Sequence, residues 1–264
     1  MLIDYHMHTP LCKHASGEPR EYVEQGLRIG LQEMGFSDHN PMPKGFEDNW
    51  RMHRNEMERY LEMIEEVQVR FATQIPVRLG IECDFRPGSE EFVRDSINQR
   101  RFDYVIGSVH YIGDWVFDNP DDLAKWNQCD IFDAWRQYFD LVTQAANSGM
   151  FDIMAHPDLV KKFLHVPKED CRPLFESFLQ VVKRNDLTLE INTAGLRKPV
   201  KEIYPSRAML EIALRMEIPI SLASDAHKPE EVGCNFAEAV ALARSVGFTH
   251  IARYNKRKRA MVPL

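Results

Sequence analysis

The feature that most constrains this chain is a regular alternation of short apolar runs with longer segments whose apolar residues recur at helical spacing. About seven such strand–helix units follow one another without a linker or a low-complexity stretch. Strands separated by helices pair in parallel, with the helices outside the sheet. The repeat number and the length of 264 residues favour a (β/α) barrel over an open sheet. The number of barrel strands stays open at this point.

The alternation also predicts the individual elements. Strands are predicted over residues 1–6, 32–37, 75–82, 104–109, 151–155, 188–192, 218–223 and 249–254. Helices are predicted over residues 18–29, 50–71, 90–99, 131–147, 171–185, 207–216 and 230–246. The basic run over residues 255–259 is interpreted as a solvated end of the chain. We therefore predict one domain over residues 1–264.

Charge and composition exclude several classes of protein. The net charge of −7 disfavours nucleic acid as a partner, because phosphate backbones select basic proteins. No apolar run approaches the ~20 residues that cross a bilayer, so no membrane partner is expected. The five cysteines are scattered, which disfavours a disulfide framework, and the first residues lack the pattern of a signal peptide. We expect a cytoplasmic protein, and the oligomeric state is left open.

Polar residues follow almost every predicted strand at the point where it ends. In a barrel of parallel strands these ends meet at one face, where such folds build their sites. Residues two apart in a strand point the same way, so His6 and His8, like Asp225 and His227, can direct two side chains into one mouth. The other residues at strand ends are Asp38, His39, Glu82, Asp84, His110, His156, Asp158, Glu190 and Asn192.

This collection of side chains predicts a metal site at the carboxyl ends of the strands. Imidazole together with carboxylate suits zinc, manganese or iron. The candidate ligands are His6, His8, His14, His39, Glu82, His110, His156, Asp225 and His227. They are too many for one ion, so we expect two or three divalent ions with Glu82 as a bridge. The remaining histidines, His53, His165 and His250, have no comparable partner.

The motifs DYHMHT, GFSDHN, GIECDF, IGSVH, MAHPDLV and LASDAH occur in this order between residues 4 and 227. Together they resemble the PHP (polymerase and histidinol phosphatase) superfamily. The stretches HTPLCKHASG and GFSDHNP are most similar to its histidinol-phosphatase branch. The resemblance implies an α/β fold, a distorted (β/α)7 TIM-like barrel, with a trinuclear metal site at the carboxyl ends of the strands.

The resemblance also implies how the ligands are shared among three ions. One ion would take His6, His8, Glu82 and Asp225. A second would share Glu82 and add His110 and His156. A third would take His14, His39 and His227. All nine positions carry the residue type that the family uses.

The activity implied by the resemblance is the hydrolysis of L-histidinol phosphate, a small phosphomonoester, in histidine biosynthesis. A hydroxide activated by the metals would attack phosphorus, without a protein nucleophile. The leaving group would take its proton from a metal-bound water or from a carboxylic acid in the pocket, for which Asp225 and Asp38 are candidates. Arg197, Lys161 and Lys162 are candidates for binding the phosphate, and Glu18 for binding the substrate amine. Asn192 is expected to orient a group in the mouth of the barrel.

Two other functions are weighed against this one. The first is a phosphoesterase of the same superfamily that acts on another small phosphomonoester or on a nucleotide. The second is a metal-loaded barrel that serves as a structural or regulatory partner without turnover. The complete ligand set disfavours the second alternative, and only the finer motif resemblance separates the first from histidinol phosphate hydrolysis.

Overall fold

A computed structural model describes all residues, 1–264, and contains eleven strands and seven α-helices. The strands are β1 (Ile3–Asp4), β2 (Glu33–Phe36), β3 (Val77–Asp84), β4 (Tyr104–Ser108), β5 (Tyr111–Ile112), β6 (Trp115–Val116), β7 (Ile153–Met154), β8 (Thr188–Asn192), β9 (Ile220–Ala223), β10 (His250–Asn255) and β11 (Lys258–Pro263). The helices are α1 (Pro19–Arg28), α2 (Met57–Arg70), α3 (Glu90–Asn98), α4 (Ile131–Asn147), α5 (Arg172–Arg184), α6 (Arg207–Arg215) and α7 (Phe236–Val246). No helix combines the length and the apolar character needed to cross a membrane.

Seven strands form one parallel sheet in the order β1-β2-β3-β4-β7-β8-β9. The two edges of this sheet meet just beyond the ends of β1 and β9. There the backbone nitrogen of His8 donates to the Ala226 carbonyl at 2.9 Å, and the Ala226 nitrogen donates to the His6 carbonyl at 3.2 Å. The sheet is therefore a nearly closed barrel with helices between its strands. The predicted distorted (β/α)7 TIM-like barrel is confirmed.

The barrel interior is filled by large aromatic side chains set against glycines. Tyr104 is fully buried, and its hydroxyl donates to the Tyr5 carbonyl at 2.6 Å. A Cβ at Gly35 on β2 or at Gly80 on β3 would overlap the Tyr104 ring, so only glycine leaves room for this ring at these two positions. Close packing of this kind holds the strands, and therefore their carboxyl ends, in fixed positions.

Two predicted helix starts and the interpretation of the basic run differ most from the structure. The helix predicted from residue 50 starts at Met57, because the segment before it folds over the barrel mouth and Arg51 is buried there. The helix predicted from residue 230 starts at Phe236, after a left-handed turn at Asn235 with φ of 61°. The basic run over residues 255–259 is not a solvated end. It joins β10 to β11, and Arg257 and Arg259 form ion pairs with Asp152 and Asp186.

Candidate metal centre

Seven histidines and two carboxylates gather at the carboxyl ends of the barrel strands. They are the nine residues predicted as ligands, and their ligand atoms fall into overlapping groups in which all atoms lie within 4.8 Å of one another. His6 and His8 are fully buried beneath the others, while the remaining seven line a cavity that opens at the barrel mouth. The parallel barrel explains this gathering, because β1, β3 and β9 all end at this face.

Glu82 lies at the centre of the cluster, near the end of β3. One of its carboxylate oxygens is 3.2 Å from His6 Nε2 and 2.9 Å from His39 Nδ1. The other is 3.2 Å from His156 Nε2 and 3.9 Å from His110 Nε2. A carboxylate with imidazoles around both oxygens has the geometry of a group that bridges two ions.

Most of the histidine rings are fixed through the nitrogen that faces away from the centre. Glu190 Oε1 lies 2.7 Å from His6 Nδ1, and Asp84 Oδ1 lies 2.8 Å from His110 Nδ1. Partners of this kind set the tautomer and the orientation of a ligating ring. The other rings held in this way are His14 by the Cys12 carbonyl and His227 by the Asp225 carbonyl.

The inward-facing atoms fit divalent metal ions. The buried atoms without a hydrogen-bond partner in the protein include His6 Nε2, His8 Nε2, His227 Nε2 and Glu82 Oε2. A buried polar atom that stays unpaired costs about 1–3 kcal/mol, so a cation is needed to satisfy this set. Imidazole nitrogens and carboxylate oxygens are the ligands that zinc, manganese and iron accept.

The ligand groups resemble the implied sharing among three ions but differ in detail. His14, His39 and His227 form one group, as the family resemblance implies. Glu82 takes part in two groups, one of them with His39 and His110. Another group includes the buried thiol of Cys12, which the sequence analysis did not consider, although the cysteine stands between His8 and His14.

The buried carboxylates of the cluster favour positive charge on the histidines beside them. Burial alone would lower the pKa of His6, but the carboxylates of Glu190 and Glu82 outweigh burial and raise it well above its ordinary value. In the same way, burial disfavours the charged form of His110, and Asp84 nevertheless raises its pKa to about 9. The buried carboxylates therefore attract positive charge, which protons supply when no metal is bound.

Two of the ligand residues lie on backbone that non-glycine residues seldom adopt. Asp225 has φ of 53° and His156 has φ of 22°. The side chain of Arg197 holds the first of these turns, because its Nη2 donates to the carbonyls of Ser224 and Asp225 at 2.7 and 3.3 Å. The second turn is held by Glu190, which accepts a hydrogen bond from the His156 backbone nitrogen at 2.9 Å.

The cavity above the cluster has a volume of about 630 Å³ and carries charges of both signs. Lys162 lines it, and its Nζ lies 3.0 Å from Asp118 Oδ2. Lys198 also lines it but has no ion pair, and burial followed by the nearby charge of Lys162 lowers its pKa. Glu231 adds a further carboxylate to the wall. The remaining polar and aromatic lining includes Trp50, Arg51, Tyr111, Tyr204 and Lys228.

Five residues expected in the mouth do not line this cavity: Asp38, Asn192, Lys161, Arg197 and Glu18. The ammonium of Lys161 is buried between Asp158 and Glu202, at 3.0 Å from each, so it is not free to meet a phosphate. Glu18 is exposed and caps the first turn of α1 together with Glu21. These two residues contribute to the fold beside the cavity.

Asp38 and Asn192 lie beneath the cluster and position it. Asp38 is fully buried and accepts hydrogen bonds from the hydroxyl and the backbone nitrogen of Thr9, so it is not placed to protonate a leaving group. The amide of Asn192 donates to Glu190 at 2.9 Å and to Asp225 at 3.3 Å. It therefore orients a candidate ligand rather than a group in the open mouth.

Sequence reasoning missed the residues that loops bring to the cavity. Arg51, Lys198 and Lys228 line it, but none of them follows a predicted strand directly. For Lys198 a signal was available, since it is the neighbour of Arg197 in the predicted loop after β8. For Arg51 no periodicity marks the turn that brings it over the mouth. His53, His165 and His250 lie outside all ligand groups.

A parallel barrel with a cluster of imidazoles and carboxylates at its carboxyl face defines a class of metal-dependent enzymes. The sequence profile of the PHP domain matches residues 4–194. The chain belongs to the PHP domain family.

Similar proteins place it further within the family. The chain is 47% identical to a protein of Deinococcus radiodurans named "Probable histidinol-phosphatase". The alignment runs over 246 residues and covers 93% of this chain and 94% of that protein. It is 28% identical to the histidinol-phosphatase of Bacillus subtilis, over 87% of this chain and 95% of that protein. The structure of histidinol phosphate phosphatase from Lactococcus lactis, complexed with zinc, L-histidinol and phosphate, shares the fold, with a TM-score of 0.83, 23% identity and 98% of each chain covered.

Proposed function

We propose that this chain is a histidinol-phosphatase, a metal-dependent phosphomonoesterase that hydrolyses L-histidinol phosphate to L-histidinol and phosphate. The observation that carries the chemistry is the cluster of nine potential metal ligands around Glu82 at the floor of a charged cavity. The substrate is supported by the 47% identity to the Deinococcus protein over nearly the whole chain. Its small-molecule partner is therefore a phosphomonoester that also carries an amine.

The proposed cofactors are two or three divalent ions drawn from zinc, manganese and iron. His14, His39 and His227 would hold one ion, and Glu82 would be shared between the others, which also take His6, His8, His110, His156 and Asp225. When bound, such ions supply Lewis acidity that neutralises phosphoryl charge and activates water as the nucleophile.

We also infer that residues 1–264 make up one domain, because one barrel joins β1 to β9.

The side chains around the metals bind and orient the substrate. Lys162 and Lys198 are two of the cations in the wall, and they are suited to the phosphoryl oxygens. The carboxylates of Asp118 and Glu231 are suited to the substrate amine. These assignments replace Arg197 and Lys161 as phosphate contacts and Glu18 as the amine contact.

Asp225 acts as a ligand in this proposal rather than as the general acid. Burial would raise the pKa of its carboxyl, but His6, His8 and His227 outweigh burial and hold the pKa well below its ordinary value. A group that is ionised at neutral pH has no proton to give to a leaving alkoxide. Metal binding would favour the ionised carboxylate further, because it adds positive charge beside it.

The direct test is phosphate release from L-histidinol phosphate by protein loaded with zinc, manganese or iron in separate runs. We expect turnover that disappears in Asp225→Asn and in His8→Ala, each with loss of bound metal. Gln25→Ala, a substitution on helix α1 away from the cavity, is the matched control and should keep full activity. Full activity in Asp225→Asn or in His8→Ala would contradict the assignment of the metal centre.

A further inference from the structure

Tyr204 lines the cavity with a hydroxyl that has no hydrogen-bond partner. Its side chain is only 1% exposed, and the hydroxyl oxygen is buried. The other tyrosine in the cavity wall, Tyr111, donates its hydroxyl to Asp48. Leaving a buried hydroxyl unpaired costs about 1–3 kcal/mol, and such groups are rare in folded proteins unless a ligand satisfies them.

The position of this phenol is fixed by the backbone. The Tyr204 nitrogen donates to the Asn192 carbonyl at 3.0 Å, and the Asn192 nitrogen donates to the Tyr204 carbonyl at 2.6 Å. The hydroxyl-bearing end of the ring lies against Gly195, where a Cβ would come within 3.0 Å of Cε2 and Cζ. The phenol is therefore held in one place relative to the end of β8.

The surroundings of the ring carry charges of both signs, and burial followed by the nearby carboxylates of Asp158 and Asp118 raises the pKa of the phenol. The His156 ring lies edge-on to Tyr204, with 6.5 Å between ring centroids, and both residues line the cavity. Lys162 and Lys198 belong to the same wall. A neutral hydroxyl donor in a cavity wall that also carries metal ligands and ammonium groups is suited to an oxygen that carries negative charge.

We propose that the Tyr204 hydroxyl donates a hydrogen bond to a non-bridging phosphoryl oxygen of the bound substrate. The inference rests on the proposed phosphatase function and adds a third phosphoryl contact to Lys162 and Lys198. An ordinary phenol has a pKa of about 10 and stays protonated at neutral pH, so it remains a donor throughout the reaction. No proton leaves the phenol, and Tyr204 acts by binding and orienting the phosphoryl group.

The test compares Tyr204→Phe with Tyr254→Phe, both in metal-loaded protein. The first removes only the unpartnered hydroxyl. The second removes a hydroxyl that contacts Thr188 at 2.7 Å and the Asp152 carbonyl at 3.1 Å, beside the amino ends of the strands. The measurements are kcat and KM for L-histidinol phosphate, the Kd of inorganic phosphate by calorimetry, the metal content and the Tm.

For Tyr204→Phe we expect kcat/KM to fall about 10- to 100-fold and phosphate to bind more weakly, with unchanged metal content and a Tm that does not fall, because the variant no longer buries an unpaired hydroxyl. For Tyr254→Phe we expect unchanged kcat/KM. Unchanged kcat/KM and phosphate affinity in Tyr204→Phe would overturn the proposal, and so would a decrease that follows loss of metal. If the wild-type protein does not hydrolyse L-histidinol phosphate, the proposed function fails, and the phosphate titration still decides the role of Tyr204.

Discussion

Several ligand histidines depend on the residue that holds the second ring nitrogen. For His110 that residue is Asp84, whose other carboxylate oxygen accepts a hydrogen bond from Arg51 at 2.6 Å. Arg51 is also bonded to Asp48 at 2.8 Å, so a chain of buried charges runs from the segment over the mouth to the metal centre. The carboxylate of Asp84 both orients the ring and fixes the tautomer in which Nε2 is free for a metal.

Asp84→Asn should therefore weaken metal binding at His110 while leaving the barrel folded. Replacing a carboxylate that orients a ligating histidine typically costs about 10- to 100-fold in metal affinity. Competition between the protein and a calibrated chelator would measure this change. Asp114→Asn, at an exposed carboxylate that pairs with Arg86, is the matched control and should bind metal as the wild-type protein does. Equal metal affinity in Asp84→Asn and the control would show that Asp84 does not position the ligand.

Much of the candidate site was predictable residue by residue, for a physical reason. The ends of parallel strands meet at one face, so His6, Glu82 and Asp225 could be placed together from their positions after apolar runs. Contacts between residues on opposite sides of the barrel were harder to predict from the sequence. Glu190 was noted at a strand end, but its contact with His6 depends on the closure of the barrel, which no local pattern encodes.

At the scale of elements, the loops after the strands decide which residues reach the cavity. The segment Thr193–Arg197 after β8 forms a 3-10 turn, which directs Arg197 towards the backbone of the β9 loop and leaves Lys198 at the cavity wall. A sequence places both basic residues after the same strand and cannot tell which of them faces the mouth. The start of α2 was misplaced for a related reason, since the loop before it is stabilised by tertiary contacts of Arg51.

Because Arg197 holds the turn at Asp225 and Lys162 lines the cavity, their substitution should cause different defects. Arg197→Met should loosen the turn that carries Asp225 and so reduce bound metal together with kcat. Lys162→Met should leave metal content normal and raise KM or lower kcat/KM about 10-fold or more, because a charged contact to phosphate is worth about 1.5–3 kcal/mol. Metal analysis and steady-state kinetics on both variants measure the difference. Normal metal content in Arg197→Met with a raised KM would instead make Arg197 a phosphate contact.

At the scale of the whole molecule, the candidate metal centre links the two edge strands of the barrel sheet, β1 and β9. Its candidate ligands follow β1 and β9 as well as the strands between them, and these two strands form the seam of the barrel. Asp4 strengthens the seam, since it accepts hydrogen bonds from the backbone nitrogens of Ser224 and Gly233, each at 3.0 Å. Metal ions that bind only the folded barrel therefore stabilise it by mass action.

Removal of the metals should lower the Tm in a way that depends on metal concentration. Binding at 1,000 times Kd contributes about 4 kcal/mol, which corresponds to roughly 8–16 °C for a chain of this size. Thermal unfolding with and without a chelator measures the shift. In Asp225→Asn the shift should be smaller, because this variant has already lost a ligand. An identical Tm in the presence and absence of chelator would exclude a stabilising metal centre.

The most direct test of the central claim is the discrimination among phosphomonoesters by the metal-loaded protein. We would measure kcat/KM for L-histidinol phosphate beside nucleotides, sugar phosphates and an aryl phosphate. The proposed function predicts that L-histidinol phosphate exceeds every other substrate by a hundredfold or more, about 2.7 kcal/mol of transition-state discrimination. Equal values across the panel, or a different leading substrate, would contradict the assignment to L-histidinol phosphate while leaving a metal-dependent phosphatase.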